Sequence, residues 1–108
     1  MQTLQTLSEQ IATVWKCDSG RYPELAGVTD QERKNFLIKH SILHITKTAG
    51  KLAVVCENFD HTRELKEESV EECKILATKM FINALKLAEE VGVSPDELLQ
   101  RAPTYIKL

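Results

Sequence analysis

Cysteine is scarce and scattered. Cys17, Cys56 and Cys73 are the three in 108 residues, and no two stand in a C-x-x-C pair. That spacing implies neither a zinc site nor a disulfide framework. The three thiols are expected as small buried hydrophobes in a reducing, cytoplasmic setting. An excess of one charge is also missing: 14 Lys and Arg against 16 Asp and Glu give a net charge of −2. No global field then draws the chain to nucleic acid or to an acidic membrane, and any anion site must be local. No apolar run approaches the roughly 20 residues of a membrane span. The first residues have neither a basic n-region nor an apolar h-region, so no secretory leader is expected. Alternating strand patterns, internal repeats and low-complexity tracts are lacking as well. What remains is 43% apolar and 28% charged, the composition of a globular chain. Its length makes a single domain, residues 1–108, that buries only about two-thirds of its unfolded surface.

The residues present read as helices. Leu4, Leu7, Ile11, Val14 and Trp15 recur at helical spacing over Met1 to Lys16, with Trp15 expected as a core anchor. Cys17-Asp18-Ser19-Gly20 should end that helix at Gly20. Arg21 to Val28 contains Pro23 and Gly27 and reads as an ordered loop pinned by Tyr22 and Leu25. Thr29-Asp30-Gln31-Glu32 is a capping box that opens a central helix running to about Glu57. At about 1.5 Å per residue that helix is roughly 40 Å long, with a break or bend expected near Gly50, because glycine weakens a helix interior by about 1 kcal/mol.

The organising stretch is Phe36 to Phe59. Ile42, Ile45, Ala49, Leu52, Ala53 and Cys56 fall on one face of its wheel. His40, His44, Lys47 and Lys51 form a polar stripe on the opposite face. Asn58 to Glu67 is polar and reads as the turn. Ser69-Val70-Glu71-Glu72 is a second capping box, and the third helix runs to about Val91. Its apolar face is broad, from Cys73 through Leu76, Ala77, Met80, Phe81, Ala84, Leu87 and Ala88 to Val91. Its polar stripe is narrow: Glu72, Lys79, Asn83, Lys86 and Glu90. A helix so apolar needs neighbours on more than one side, so a homodimer completing the bundle is expected. Gly92 should close the helix at C′. Ser94 and Pro95 should start a short fourth helix with Glu97 at N3, ended by Pro103 before a loose or docked tail, Thr104 to Leu108. The expected fold is an all-α bundle of about four helices, with two long central antiparallel ones.

Two phrases carry a resemblance. The central helix holds His44-Ile45-Thr46-Lys47-Thr48-Ala49-Gly50-Lys51-Leu52-Ala53. The third ends Leu87-Ala88-Glu89-Glu90-Val91-Gly92-Val93, followed by Ser94-Pro95-Asp96-Glu97-Leu98-Leu99. From about residue 29 onward their order and texture resemble the all-α nucleoside triphosphate pyrophosphohydrolases of the MazG type. The resemblance implies a MazG-like bundle, and a substrate cleft on the face that here carries Lys47 and Lys51. That family holds Mg²⁺ with E-E-x-x-E on one helix and E-x-x-D on the next, and the metal assists attack of water on a phosphate chain. Carried onto this chain, the first motif falls on Lys47, Thr48 and Lys51. The second falls on Leu76 and Lys79, or in another register on Glu71 and Lys74. An ammonium cannot ligate Mg²⁺, so the metal site reads as absent and no cofactor is expected.

The resemblance and the polar stripe together make His44, Lys47, Lys51 and Lys79 candidate ligand-binding residues. They would hold a nucleotide or phosphate directly; the alternative is a solvated helix face. If the motif placement is wrong, Glu71 and Glu72, in the run Glu67-Glu68-x-x-Glu71-Glu72, are the metal candidates. At a helix N-terminus, however, acidic residues are expected from the macrodipole alone. His40 and His44, at i and i+4, form a weaker metal candidate without a third ligand. The leading expectation is a catalytically degenerate, nucleotide-binding relative of the pyrophosphohydrolases. An active Mg²⁺-dependent enzyme and a helical protein-interaction module are the alternatives.

Overall fold

In a computed structural model the chain forms four α-helices: α1 (Leu4–Val14), α2 (Asp30–Thr62), α3 (Glu67–Glu90) and α4 (Pro95–Ile106). A 3₁₀ turn at Pro23–Leu25 lies between α1 and α2. The structure describes residues 1–62 and 64–106, and among them no strand occurs. No helix among the described residues is long and apolar enough to cross a membrane.

The centre is an antiparallel hairpin of α2 and α3. Ser41 meets Glu90, and seven residues on along α2 and back along α3, Thr48 meets Asn83. α1 and α4 pack against the C-terminal end of α3 and against each other. The core gathers there and along the hairpin, in Ile11, Leu25, Val55, Leu76, Leu85 and Ala88.

Helix starts follow their caps. Thr3 opens α1: its hydroxyl accepts from the Thr6 N–H, and the Thr6 hydroxyl accepts from the Thr3 N–H. Thr29 accepts from the Glu32 N–H at 3.1 Å and Ser94 from the Glu97 N–H at 3.2 Å, as those sequences direct. α3 ends in a Schellman motif, with Val93 N–H on the Ala88 carbonyl and Gly92 N–H on that of Glu89. Gly92 takes the left-handed φ of 84° that this closure needs. Leu25 is buried and Tyr22 half-buried, so the loop is pinned as expected.

Other boundaries differ from expectation. α1 stops at Val14, short of Lys16 and Gly20. α2 passes Glu57 and continues to Thr62, because Asn58 to Thr62 is polar but holds neither glycine nor proline, and polarity alone does not end a helix. The turn expected over Asn58 to Glu67 shrinks accordingly; Arg63 lies outside the described residues. α2 is also unbroken at Gly50. α3 begins at Glu67 after Lys66, whose side chain makes no cap, so Ser69 sits inside the helix and forms no capping box. α4 runs through Pro103 to Ile106. A proline there removes one bond, to the Leu99 carbonyl, on a residue open to solvent. Thr104 to Ile106 is therefore helical; Lys107 and Leu108 lie outside the described residues.

The apolar face of α2 is not its buried face. The buried line is Ser41, Thr48 and Val55, between the apolar and polar stripes. Ile42 is 47% exposed, and Ala49, Ala53 and Cys56 are exposed too. Cys56 is thus not a core thiol, whereas Cys17 is buried and Cys73 half-buried. The reason is geometric: among the described residues α3 is the helix that packs most extensively on α2, and it meets α2 along the edge that the two stripes share.

Candidate functional site

Where the polar stripes of α2 and α3 face one another, beneath the loop after α1, lies a cavity of about 510 Å³. α2 contributes His40, Ser41, His44, Lys47, Thr48 and Lys51 to its wall. α3 contributes Lys79, Ile82, Asn83 and Lys86. The segment from the end of α1 to the 3₁₀ turn contributes Trp15, Lys16, Cys17, Arg21 and Tyr22. All four ligand-binding residues expected from sequence, His44, Lys47, Lys51 and Lys79, therefore line one cavity.

Beneath it a polar zipper joins α2 to α3. Ser41 donates to Glu90 at 2.5 Å. Asn83 donates to the Thr48 hydroxyl at 3.3 Å, which itself donates to the His44 carbonyl at 3.0 Å. Small hydroxyl residues at these positions let the helices approach closely and leave no buried side-chain polar atom unpartnered among the described residues. Lys86 and Glu90 form an ion pair at 2.6 Å, with side chains only 15% and 8% exposed. Lys86 is thereby neutralised.

The other cations are not. Lys16, Arg21, Lys47, Lys51 and Lys79 have no ion-pair partner among the described residues. No carboxylate among those residues lines the cavity. Glu71 and Glu72 lie outside it, with Glu67 and Glu68, in an adjoining shallow hollow that shares Lys51 and Lys79. Glu71 pairs instead with Lys74 at 3.7 Å on the open surface. Among the described residues no group of three or more His, Cys, Asp or Glu is gathered to hold a metal ion.

One end of the cavity is aromatic. Tyr22 Oη and His44 Nε2 each lie 3.0 Å from His40 Nε2. Phe36 stacks on the His40 ring at 5.6 Å, and Tyr22 meets its edge at 5.0 Å. Burial lowers the pKa of His40 below its ordinary value, and His44 and Lys86 push it the same way, against Glu90 and Glu24. The Arg33 guanidinium donates to the Cys17 carbonyl and ties the loop to α2. Trp15 is not the expected core anchor: it is 39% exposed and lines this end.

Sequence reasoning missed Lys16 and Arg21, whose loop has no periodicity to show where it docks. It also missed Ser41 and Thr48, which read as neutral positions between two stripes. Asn83 and Lys86 were visible in the narrow stripe of α3, at spacings of 4 and 7 from Lys79.

The fold and site thus define an all-α protein whose central hairpin encloses a cationic, partly aromatic cavity. Comparison with family models, curated proteins and solved structures finds no match to this chain.

Proposed function

We propose that this chain is a MazG-like relative of the nucleotide pyrophosphohydrolases that binds a nucleotide or another phosphate-bearing anion directly through cationic side chains, without a metal and without hydrolysing it. The observation that supports this reading is the set of five cations that line one cavity, with no ion-pair partner and no lining carboxylate among the described residues. All five line it although they come from three segments of the chain. Ammonium and guanidinium groups are the donors that phosphate oxygens take. From His40 to Lys51 the α2 wall extends about 16 Å at about 1.5 Å per residue, a span that suits a nucleoside with its phosphate chain. Trp15 and Tyr22 would meet the planar base at one end, and Lys47, Lys51 and Lys79 the phosphates at the other. In the same reading the chain works as a homodimer.

Trp15 is the chain's one tryptophan, so its fluorescence reports occupancy. Titration with ATP and with inorganic triphosphate, in EDTA, is expected to show saturable binding, with Trp15 emission changing for ATP. Lys47→Glu with Lys51→Glu removes two charge-assisted contacts of about 1.5–3 kcal/mol each, so affinity should fall about 100-fold or more. Unchanged affinity in that variant would remove the cavity from consideration. Mg²⁺-dependent pyrophosphate release that disappears in Glu71→Gln or Glu72→Gln would identify an enzyme instead.

A further inference from the structure

Asn83 carries an acceptor that the fold leaves unused. The residue is only 6% exposed, and it stands in the wall of the cavity. The Thr48 hydroxyl spends its hydrogen on the His44 carbonyl at 3.0 Å, so toward Asn83 it can only accept. The carboxamide atom that faces it, at 3.3 Å, is therefore the donor Nδ2, which turns Oδ1 the other way. Among the described residues no donor bonds to Oδ1. No buried side-chain polar atom among those residues is without a partner, so Oδ1 is not sealed in. It opens on free space, and the space that Asn83 borders is the cavity.

That oxygen is unlike the rest of the wall. Among the described residues no carboxylate and no other side-chain amide lines the cavity, and Lys47, Lys51 and Lys79 can only donate. A phosphate chain, which presents acceptors, meets those ammonium groups but has nothing to offer Oδ1. What Oδ1 takes is an O–H or an N–H. Its position decides between them. Thr48, which holds Asn83, lies eight residues from His40, about 12 Å along α2. Toward the other end, Lys51 is three residues from Thr48 and Lys79 four from Asn83, about 5 and 6 Å. Asn83 thus stands between the aromatic end and the lysine end, nearer the lysines. In a nucleoside phosphate the part between base and phosphates is the sugar, and the donors that a sugar presents are hydroxyls.

We infer that Asn83 Oδ1 accepts a hydrogen bond from a ribose hydroxyl of the bound ligand, with Thr48 holding the carboxamide in place. This rests on the anion binding proposed above, and narrows the ligand from any phosphate-bearing anion to a nucleoside phosphate with a free ring hydroxyl. Asn83 is then a specificity-determining residue.

Calorimetric titration with ATP, with 2′,3′-dideoxy-ATP and with inorganic triphosphate, all in EDTA, tests it. The wild type should bind ATP about tenfold more tightly than the dideoxy analogue, the fold-change of one hydrogen bond. In Asn83→Leu, which keeps the bulk and loses the acceptor, that ratio should fall to about one. Thr48→Val, which frees the carboxamide, should lower the ratio as well, and it decides should Asn83→Leu fail to fold. A purely structural role of Asn83 would weaken all three ligands together and leave the ratio as it was. Equal affinity of the wild type for ATP and its dideoxy analogue overturns the hydroxyl contact and leaves anion binding standing. A ratio that persists in Asn83→Leu, or in Thr48→Val where the leucine variant does not fold, overturns the role given to Asn83. A wild type that binds neither ATP nor triphosphate overturns anion binding and this contact with it.

Discussion

Burial lowers the proton affinity of His40, and this sets the sign of a pH dependence. In the unfolded chain the imidazole titrates near its usual value of about 6.5; in the fold it titrates lower. Below about 6.5 the unfolded chain takes up a proton that the native chain resists, so stability falls with pH until His40 is charged in both states. Above that value its contribution is fully retained. Thermal midpoints between pH 7.5 and 5 should therefore fall more for the wild type than for His40→Asn, and parallel curves would show that the ring carries no such linkage. His40 also shows how far single residues were legible. Its spacing from His44, Lys47 and Lys51 placed all four on one stripe, and the structure puts all four on one wall. Its partners Tyr22 and Phe36 were not legible, because the first comes from a loop whose docking depends on Arg33 reaching the Cys17 carbonyl. Trp15 was misread for a related reason: a large aromatic at a helix end is expected inside unless a cavity gives it a second surface.

Two glycines should respond oppositely because of the elements they sit in. Gly50 lies within α2, and a Cβ there meets nothing within 4 Å, so Gly50→Ala should stabilise by about 1 kcal/mol. Gly92 also has open space, but its φ of 84° is left-handed, so Gly92→Ala should cost about 1–2 kcal/mol. For a domain of this size each kcal/mol moves the midpoint by roughly 4–8 °C, and calorimetry on the two variants should show a rise and a fall. Two changes of the same sign would mean that one of these backbone assignments is wrong. Elements were legible where backbone chemistry dictates them: Thr29, Ser94 and Gly92 each act as read. They were illegible where composition stood in for chemistry, as in the polar residues that failed to end α2 at Glu57, or the single proline that failed to end α4. The stripes of α2 and α3 were legible as stripes. Which of them would be buried was not, because this depends on which edge of α2 meets α3.

At the scale of the whole molecule, the charge is nearly balanced while the cavity is not. Five like charges line a cavity of about 510 Å³ in a chain whose net charge is −2. Like charges along one wall repel one another. Mobile ions should relieve that repulsion, since the Debye length shrinks from about 30 Å at 0.01 M salt to about 8 Å at 0.15 M. The midpoint should thus rise with sodium chloride over this interval, whereas a fold held by surface ion pairs would lose stability. The rise should be smaller in Lys47→Gln with Lys51→Gln, and an equal rise in that variant would locate the effect elsewhere. The same variant should be more heat-resistant than the wild type at low salt while no longer retaining triphosphate. The cationic wall is therefore expected to lower the stability of the chain on its own. On the reading proposed above, these lysines exchange some stability of the free chain for the capacity to hold an anion.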